Sequence, residues 1–300
     1  MAVQPCCVGS ISRAPSKHGD ESMPLRTIVG ACALAACVIA APVAAAPLDE
    51  SKYPPFAGQW FRIGPLQVFD AAKPKGRGQE APLTPEYQAI YEANLADQAT
   101  GGFGDDPVYR CIPEGMPRAM TLVLPMEIVV TGNTTYLLME YLSMIRRIYT
   151  DGRDFPTDQE PSWMGYSIGK WIDEDGHGRY DVLEVETRNL KNPRTFEPSG
   201  IPMHRDAQTV IKERLYLDKT NPDKLYDEIT TYDHALTRPW TVVRAMRRGH
   251  NPMWIESICA EGNVHVKIGN ETYMLNGDNL LMPVKKGQQP PDLSLFKQAK

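Results

Sequence analysis

The sequence of 300 residues has little of what marks nucleic-acid-binding proteins or membrane spans. Its formal net charge is -5, from 32 basic and 37 acidic side chains, so an electrostatic footprint for nucleic acid is missing. The one long apolar run, residues 27–46, is rich in alanine and too weakly apolar for a stable membrane helix. We therefore expect no nucleic-acid partner and no stable membrane span.

Short catalytic and cofactor-binding motifs are also missing. The chain has no GxSxG nucleophile elbow, HExxH helix, P-loop or CxxC pair. The segment GGFG at 101–104 lacks the strand-to-helix context of a dinucleotide loop. These absences argue against nucleotide-dependent and zincin-type chemistry. We expect no cofactor, with calcium as the one alternative considered below.

Residues 1–45 have the pattern of an over-extended start followed by a signal peptide. After Met23, one basic residue precedes the alanine-rich apolar run, and small residues favour cleavage after Ala45. An alternative is the segment 34–37, LAAC, which resembles a lipoprotein box and would leave a lipid anchor on Cys37. We expect the cleaved form and a periplasmic or secreted protein.

Cleavage would remove four of the six cysteines and leave Cys111 and Cys259. In an oxidising compartment a single remaining pair is most simply one disulfide bond, and two buried free thiols are the alternative. We predict the disulfide.

The mature chain divides into three parts by composition. Residues 46–82 are a Pro/Gly-rich N-terminal segment, 83–283 a folded domain, and 284–300 a C-terminal tail. The folded part opens with LTPEYQAIYEANLADQ (83–98), a helix with Thr84 at the N-cap and Pro85 in the first turn. Short β-branched and aromatic segments with turn residues between them follow Cys111. We predict an antiparallel, calycin/lipocalin-like β-barrel with one preceding α-helix, or alternatively a β-sandwich, and a two-residue primed turn at Gly132-Asn133.

Spaced motifs in this chain resemble those of a family of uncharacterised exported bacterial proteins. The motifs are CIPEGMPRAM (111–120), RRIYTDGR (146–153), PSWMGYSIGKW (161–171), GIPMH (200–204) with a following ER strand, TRPWT (237–241) and a late CAEG (259–262). The resemblance implies export and brings no established activity.

The acidic stretch IDEDGHGRYDVLEVET (172–187) has the ligand spacing of a calcium loop. Asp173, Asp175, Asp181 and Glu184 occupy positions 1, 3, 9 and 12 of an EF-hand, but His177 stands at position 5, where oxygen is preferred. The flanking sequence alternates as strands do. We favour a hairpin turn over a weak calcium site.

Three residues are candidates for acid–base catalysis. His204 follows Gly-Ile-Pro in a restrained loop, where it is a base, a ligand anchor or simply an exposed loop histidine. Glu213 alternates with apolar residues and should point inward, where Arg146, Arg147 or Arg247 would have to pair with it. Asp233 precedes His234, and either histidine would need a carboxylate from another strand to form a dyad.

A second set could contact a ligand. Because strand neighbours face opposite sides, only one of Arg146 and Arg147 can line the barrel interior. Aromatic side chains either fill the barrel or form the wall of an apolar pocket. The candidate ligand-binding residues are Arg146, Arg147, Trp163, Tyr166, Tyr216, His234 and Arg247.

Two functions fit these observations. The first is a periplasmic or secreted module that binds a small apolar or aromatic molecule in an aromatic-lined pocket. The alternative is a cofactor-independent lyase, isomerase or hydrolase that uses a His/carboxylate pair. The sequence leaves open whether the protein is an enzyme.

Overall fold

The structure is a computed structural model and describes residues 48–121, 123–262, 264–292 and 294. The predicted signal peptide, its cleavage site and Cys37 lie outside these ranges. The described residues from Leu48 onwards belong to one compact unit. Among the described residues, no helix combines the length and apolar character needed to cross a membrane.

Nine strands form a closed barrel in which each strand pairs with the next along the chain, and the last pairs with the first. The β4–β5 pair is parallel and every other pair is antiparallel. The prediction of a mostly antiparallel barrel is confirmed, and the sandwich alternative is wrong because the sheet closes on itself. The strands are β1 (Gly58–Ile63), β2 (Met126–Val130), β3 (Thr134–Met139), β4 (Met144–Tyr149), β5 (Tyr166–Ile172), β6 (Val182–Arg188), β7 (Val210–Leu217), β8 (Lys224–Tyr232) and β9 (Trp240–Arg248).

Strand β1 lies in the Pro/Gly-rich N-terminal segment, in which we predicted no barrel strand. It closes the barrel between β2 and β9, and its Trp60 is buried with the indole N–H donating to the Phe56 carbonyl at 2.8 Å. Phe69 packs against the rings of Phe196 and Trp240 at 4.9 and 4.7 Å. The burial of these aromatic rings makes residues 56–69 part of the barrel domain.

The predicted helix is α1 (Pro85–Ala99), and it begins as expected, with the Thr84 hydroxyl accepting from the Tyr87 N–H at 3.4 Å. It follows β1 in the chain, so the expected order of helix before barrel is wrong. Its buried Asn94 donates to the Gly200 carbonyl at 2.8 Å. The helix therefore holds the loop that leads to His204.

A second, smaller sheet follows the barrel. It consists of β10 (His265–Ile268), β11 (Glu271–Leu275) and β12 (Leu281–Pro283), after the short helix α2 (Cys259–Gly262). The last strand of the barrel thus ends at Arg248, and the small sheet occupies the remainder of the predicted domain up to residue 283. The Cys111–Cys259 disulfide is present, which confirms the predicted bridge.

The β2–β3 hairpin is present, but its turn is not of the predicted type. Neither Gly132 nor Asn133 has a positive φ, which primed turns require. The Thr131 hydroxyl instead closes the turn, since it donates to the Thr134 carbonyl at 2.7 Å and accepts from the Thr134 N–H at 3.1 Å.

Candidate functional site

A buried ion pair crosses the barrel interior. Arg146 of β4 and Glu213 of β7 are fully buried, and the guanidinium contacts both carboxylate oxygens, with Nη1 donating to Oε1 at 2.8 Å. Thr187 and Ser167 accept further hydrogen bonds from Arg146 at 2.9 and 3.3 Å. The prediction of an inward Glu213 paired with an arginine is confirmed, with Arg146 as the partner. Arg147 is exposed on the opposite face of β4.

A second carboxylate and a second guanidinium lie inside the same barrel. Asp227 and Arg244 face each other across β8 and β9 and are almost fully buried. Arg244 Nη1 donates to the carbonyls of Val68 and Phe69, both at 2.8 Å. Within the described part of the chain, neither Asp227 oxygen has a hydrogen-bond partner, and neither do Nε and Nη2 of Arg244.

The pKa values of these two groups shift with burial. Desolvation, followed by the charge of Glu213, raises the pKa of the Asp227 carboxyl well above its ordinary value. Desolvation likewise lowers the pKa of Arg244 to about 10. The sequence analysis missed both residues, although alternation with buried Leu225, Ile229, Val242 and Met246 was the signal that could have found them.

The parallel β4–β5 pair leaves a groove on the outer wall of the barrel, which we call the seam groove. Its register joins only two residues of each strand, Ile148–Tyr149 and Ser167–Ile168, because the chain returns through residues 150–165 and not through a tight hairpin. The groove has a volume of about 500 Å³. Its walls include Leu142, Met144, Arg147, Tyr149, Trp163 and Tyr166.

Three of the predicted ligand-binding residues therefore meet in the seam groove: Arg147, Trp163 and Tyr166. The Tyr166 ring lies 5.0 Å from the Tyr149 ring. The Trp163 carbonyl accepts from the Met116 N–H at 3.1 Å, so the loop that carries the indole is tied to the barrel domain. The groove thus has aromatic rings in its walls and the exposed guanidinium group of Arg147 at its edge.

His204 and Asp233 are in contact, but not as an imidazole–carboxylate dyad. The Asp233 Oδ1 accepts from the backbone N–H groups of His204 and Ala235, both at 2.9 Å, and Oδ2 accepts from the Thr209 hydroxyl at 2.5 Å. The imidazole of His204 faces Asp206 instead. Glu213 is committed to Arg146 inside the barrel, so neither the His204–Glu213 nor the His234–Glu213 pairing forms.

The remaining ligand-binding candidates lie elsewhere on the surface. Tyr216 stacks near Tyr226 on the outer wall with 5.5 Å between ring centroids. The exposed Arg247 lies over the Phe61 ring at 4.8 Å, and His234 contacts Asp206. The predicted set is thus distributed over several places and does not form one pocket.

The acidic loop forms the turn between β5 and β6. Asp173 accepts from the N–H groups of His177 and Gly178 at 3.0 and 2.8 Å, and Asp181 accepts from those of Glu174 and Asp175 at 2.9 and 3.2 Å. Gly176 and Gly178 have the positive φ values that the turn needs. The carboxylates of Asp173 and Asp181 are therefore engaged by the backbone of their own loop, while Asp175 pairs with Lys219 at 3.1 Å and Glu184 lies 3.8 Å from Arg214.

A further buried cluster escaped the sequence analysis because it lies in loops without periodicity. Arg118 pairs with Asp106 at 2.7 Å and with Glu114 at 3.3 Å, all three being nearly inaccessible to solvent. Burial raises the pKa of Glu114 to about 7, although the positive charge of Arg118 opposes the shift. Because its three side chains are packed away from solvent, the cluster has a structural role.

A scan against models of known protein families gives no match to this chain, and neither does a search of curated proteins.

Proposed function

We propose that this protein is an exported binding protein that holds a small apolar or aromatic molecule in the seam groove. The observation that carries the proposal is the meeting of Trp163, Tyr166 and Tyr149 around about 500 Å³ of open volume. This volume is within the range of small-molecule sites, which are mostly apolar with a few placed polar groups. Arg147 at the edge could pair with a carboxylate of the ligand.

The barrel interior is a weaker candidate for an apolar ligand. Its inward side chains form the hydrophobic core, and between them lie the Arg146–Glu213 pair and the Asp227 and Arg244 side chains. An apolar molecule placed beside these groups would keep them desolvated without offering a hydrogen bond. The groove on the outer wall has no such cost.

A binding role also has more support than the alternative of acid–base catalysis. Catalysis by a His/carboxylate pair would require the imidazole of His204 to meet the carboxylate of Glu213 or Asp233 on the wall of an apolar pocket. Glu213 is bound to Arg146, and Asp233 binds backbone N–H groups and the Thr209 hydroxyl. Both carboxylates are therefore engaged in contacts that hold the fold together. This structural use of the two predicted acids favours a binding protein over an enzyme.

Export is supported by three further observations. The signal-like sequence at 1–45 and the motif resemblance both imply it, and a disulfide bond is typical of oxidising compartments. We propose a periplasmic or secreted location with cleavage after Ala45.

The test of the proposed site is a thermal-shift screen with aromatic carboxylates, indoles and apolar metabolites. A ligand at about 100 times its Kd adds about 2.7 kcal/mol to the free energy of unfolding, which raises Tm measurably. Calorimetry on a hit should show at least about tenfold weaker binding for Trp163→Ala and for Tyr166→Ala. Tyr232→Ala, which removes an exposed aromatic ring from another part of the wall, is the matched control. Hits that bind both groove variants as tightly as the unchanged protein would refute the site.

For the acidic loop we propose at best weak calcium binding. Backbone N–H groups of the loop already take up part of the acceptor capacity of Asp173 and Asp181, and His177 stands where an oxygen ligand is expected. Calorimetric titration with calcium is the measurement, and a Kd tighter than about 10 micromolar, the range of sensor sites, would overturn this view.

A further inference from the structure

Two imidazoles and one carboxylate converge away from the seam groove, where the loop after Met203 lies beside the end of β8. Asp206 Oδ2 lies 3.1 Å from His204 Nδ1 and 2.5 Å from His234 Nδ1. One donor atom from each residue lies within 4.8 Å of the other two. The two imidazole planes are nearly perpendicular, at 83°. Three potential ligand atoms are thus close together, and the Asp206 N–H, which donates to His204 Nδ1 at 3.2 Å, would give way to an ion at that nitrogen.

We propose that His204, Asp206 and His234 form a binding site for a divalent transition-metal ion, with zinc as the best match. Zinc takes imidazole nitrogen and carboxylate oxygen at about 2.0–2.2 Å, which places the ligand atoms of a tetrahedral site roughly 3.3–3.5 Å apart. The 3.1 Å from His204 Nδ1 to Asp206 Oδ2 is close to this spacing, and the 2.5 Å from His234 Nδ1 would lengthen as an ion replaces the hydrogen bond. Calcium and magnesium prefer sets made of oxygen alone, so the two imidazoles select against them.

Residues around the site fix the relative position of the two segments that carry the histidines. Asp233 Oδ1 accepts from the N–H of His204 on one segment and from that of Ala235 on the other, both at 2.9 Å. Thr209 donates to Asp233 Oδ2 at 2.5 Å and accepts from Arg194 at 2.9 Å. A carboxylate that is itself fixed therefore positions both ligands, as the outer partners of metal sites do.

The charge of the site suits a cation. Asp206 brings a carboxylate to the two imidazoles, and its Oδ1 accepts from the Gln208 N–H at 3.0 Å while Oδ2 lies towards both rings. His234 is 62% exposed in its side chain, so an ion could enter from solvent and keep a fourth coordination position for water or another ligand.

The competing explanation is an ordinary surface contact between histidine and aspartate. The chain contains one for comparison, since His250 Nε2 lies 2.8 Å from Asp223 Oδ2. That pair has one imidazole and one carboxylate, and its carboxylate also binds Arg248. It provides a matched control without a second histidine.

The experiment is calorimetric titration of the mature, tag-free protein with Zn²⁺, and a parallel titration with Co²⁺ followed by visible absorption. We expect one equivalent of zinc and a cobalt spectrum with nitrogen and oxygen ligands. His204→Ala and His234→Ala should each weaken zinc binding at least about tenfold, whereas His250→Ala should leave it unchanged.

His234→Ala keeps the test valid even if another variant is poorly folded, because this side chain is largely exposed. Circular dichroism and Tm establish that the variant is folded before it is titrated. No zinc uptake by the unchanged protein would overturn the proposal, as would equal uptake by His234→Ala and His250→Ala.

Discussion

Arg146 and Arg147 are neighbours in β4, yet the first is fully buried and the second is exposed. Substitution of Arg146 by Met would leave the Glu213 carboxylate buried without its partner. We expect Arg146→Met to lower the free energy of unfolding by about 3–5 kcal/mol, and Arg147→Met to change it by less than about 0.5 kcal/mol. Urea unfolding of the two variants measures the difference. Equal losses would show that the buried pair does not contribute to stability as described.

Asp227 makes the stability of the barrel depend on pH. The folded-state pKa of this carboxyl is raised, so above its ordinary value of 3.8 the folded chain binds more protons at this site than the unfolded chain. The free energy of unfolding contributed by Asp227 therefore falls as pH rises from the unfolded pKa towards the folded one.

Asp227→Asn removes this titration while keeping the shape of the side chain. We expect the variant to become progressively more stable relative to the unchanged protein as pH is raised from about 4 to about 7, across the ordinary aspartate pKa and above it. Urea unfolding at several pH values is the measurement. A constant difference between the two proteins over this range would contradict the assignment.

At the scale of elements, alternation in the sequence determines which face a side chain occupies but not which strand lies next to it. It was enough to predict that Glu213 points inward. Applied to β8 and β9, it would also have found Asp227 and Arg244. The seam groove could not be predicted in this way, because it results from the parallel β4–β5 pairing and a long connection. Strand β1 was missed because the proline and glycine residues around GQWFRI obscured a short strand.

The small sheet depends more on the disulfide than the barrel does. Cys259 lies in α2, just before β10, and Cys111 follows the 3-10 turn Pro107–Arg110. Tyr273 is the buried residue of β11, while the other residues of the three strands are half-buried or exposed. Little apolar burial therefore holds this sheet in place.

We expect the paired substitution Cys111→Ser with Cys259→Ser to speed tryptic cleavage at Lys267 in β10 at least about tenfold, because local opening no longer has to overcome the cross-link. Cleavage at the exposed Lys212 in β7 should stay slow and serves as the internal control. Mass spectrometry of timed digests gives both rates. Unchanged cleavage at Lys267 would mean that packing alone secures the sheet. The mature protein without residues 1–45 should show no free thiol when denatured without reductant.

At the scale of the whole molecule, the proposed export predicts where the mature chain begins. We expect the protein purified from the cell envelope or medium of a producing bacterium to start at Ala46, because small residues precede this bond. Intact-mass measurement distinguishes this form from a lipid-modified chain that starts at Cys37. A mass that includes residues 1–45 would exclude cleavage.

Closure of the barrel has a consequence for how the chain folds. Strands β1 to β9 each pair with their sequence neighbours, but β1 must also pair with β9, the last barrel strand to be synthesised. Until then the growing sheet has two open edges, one at β1 and one at the most recent strand, and such edges accept foreign strands. The most slowly formed contact is thus also the one that a second copy could supply through its own β1. This barrel is accordingly predisposed to strand-exchanged dimers when it refolds at high concentration.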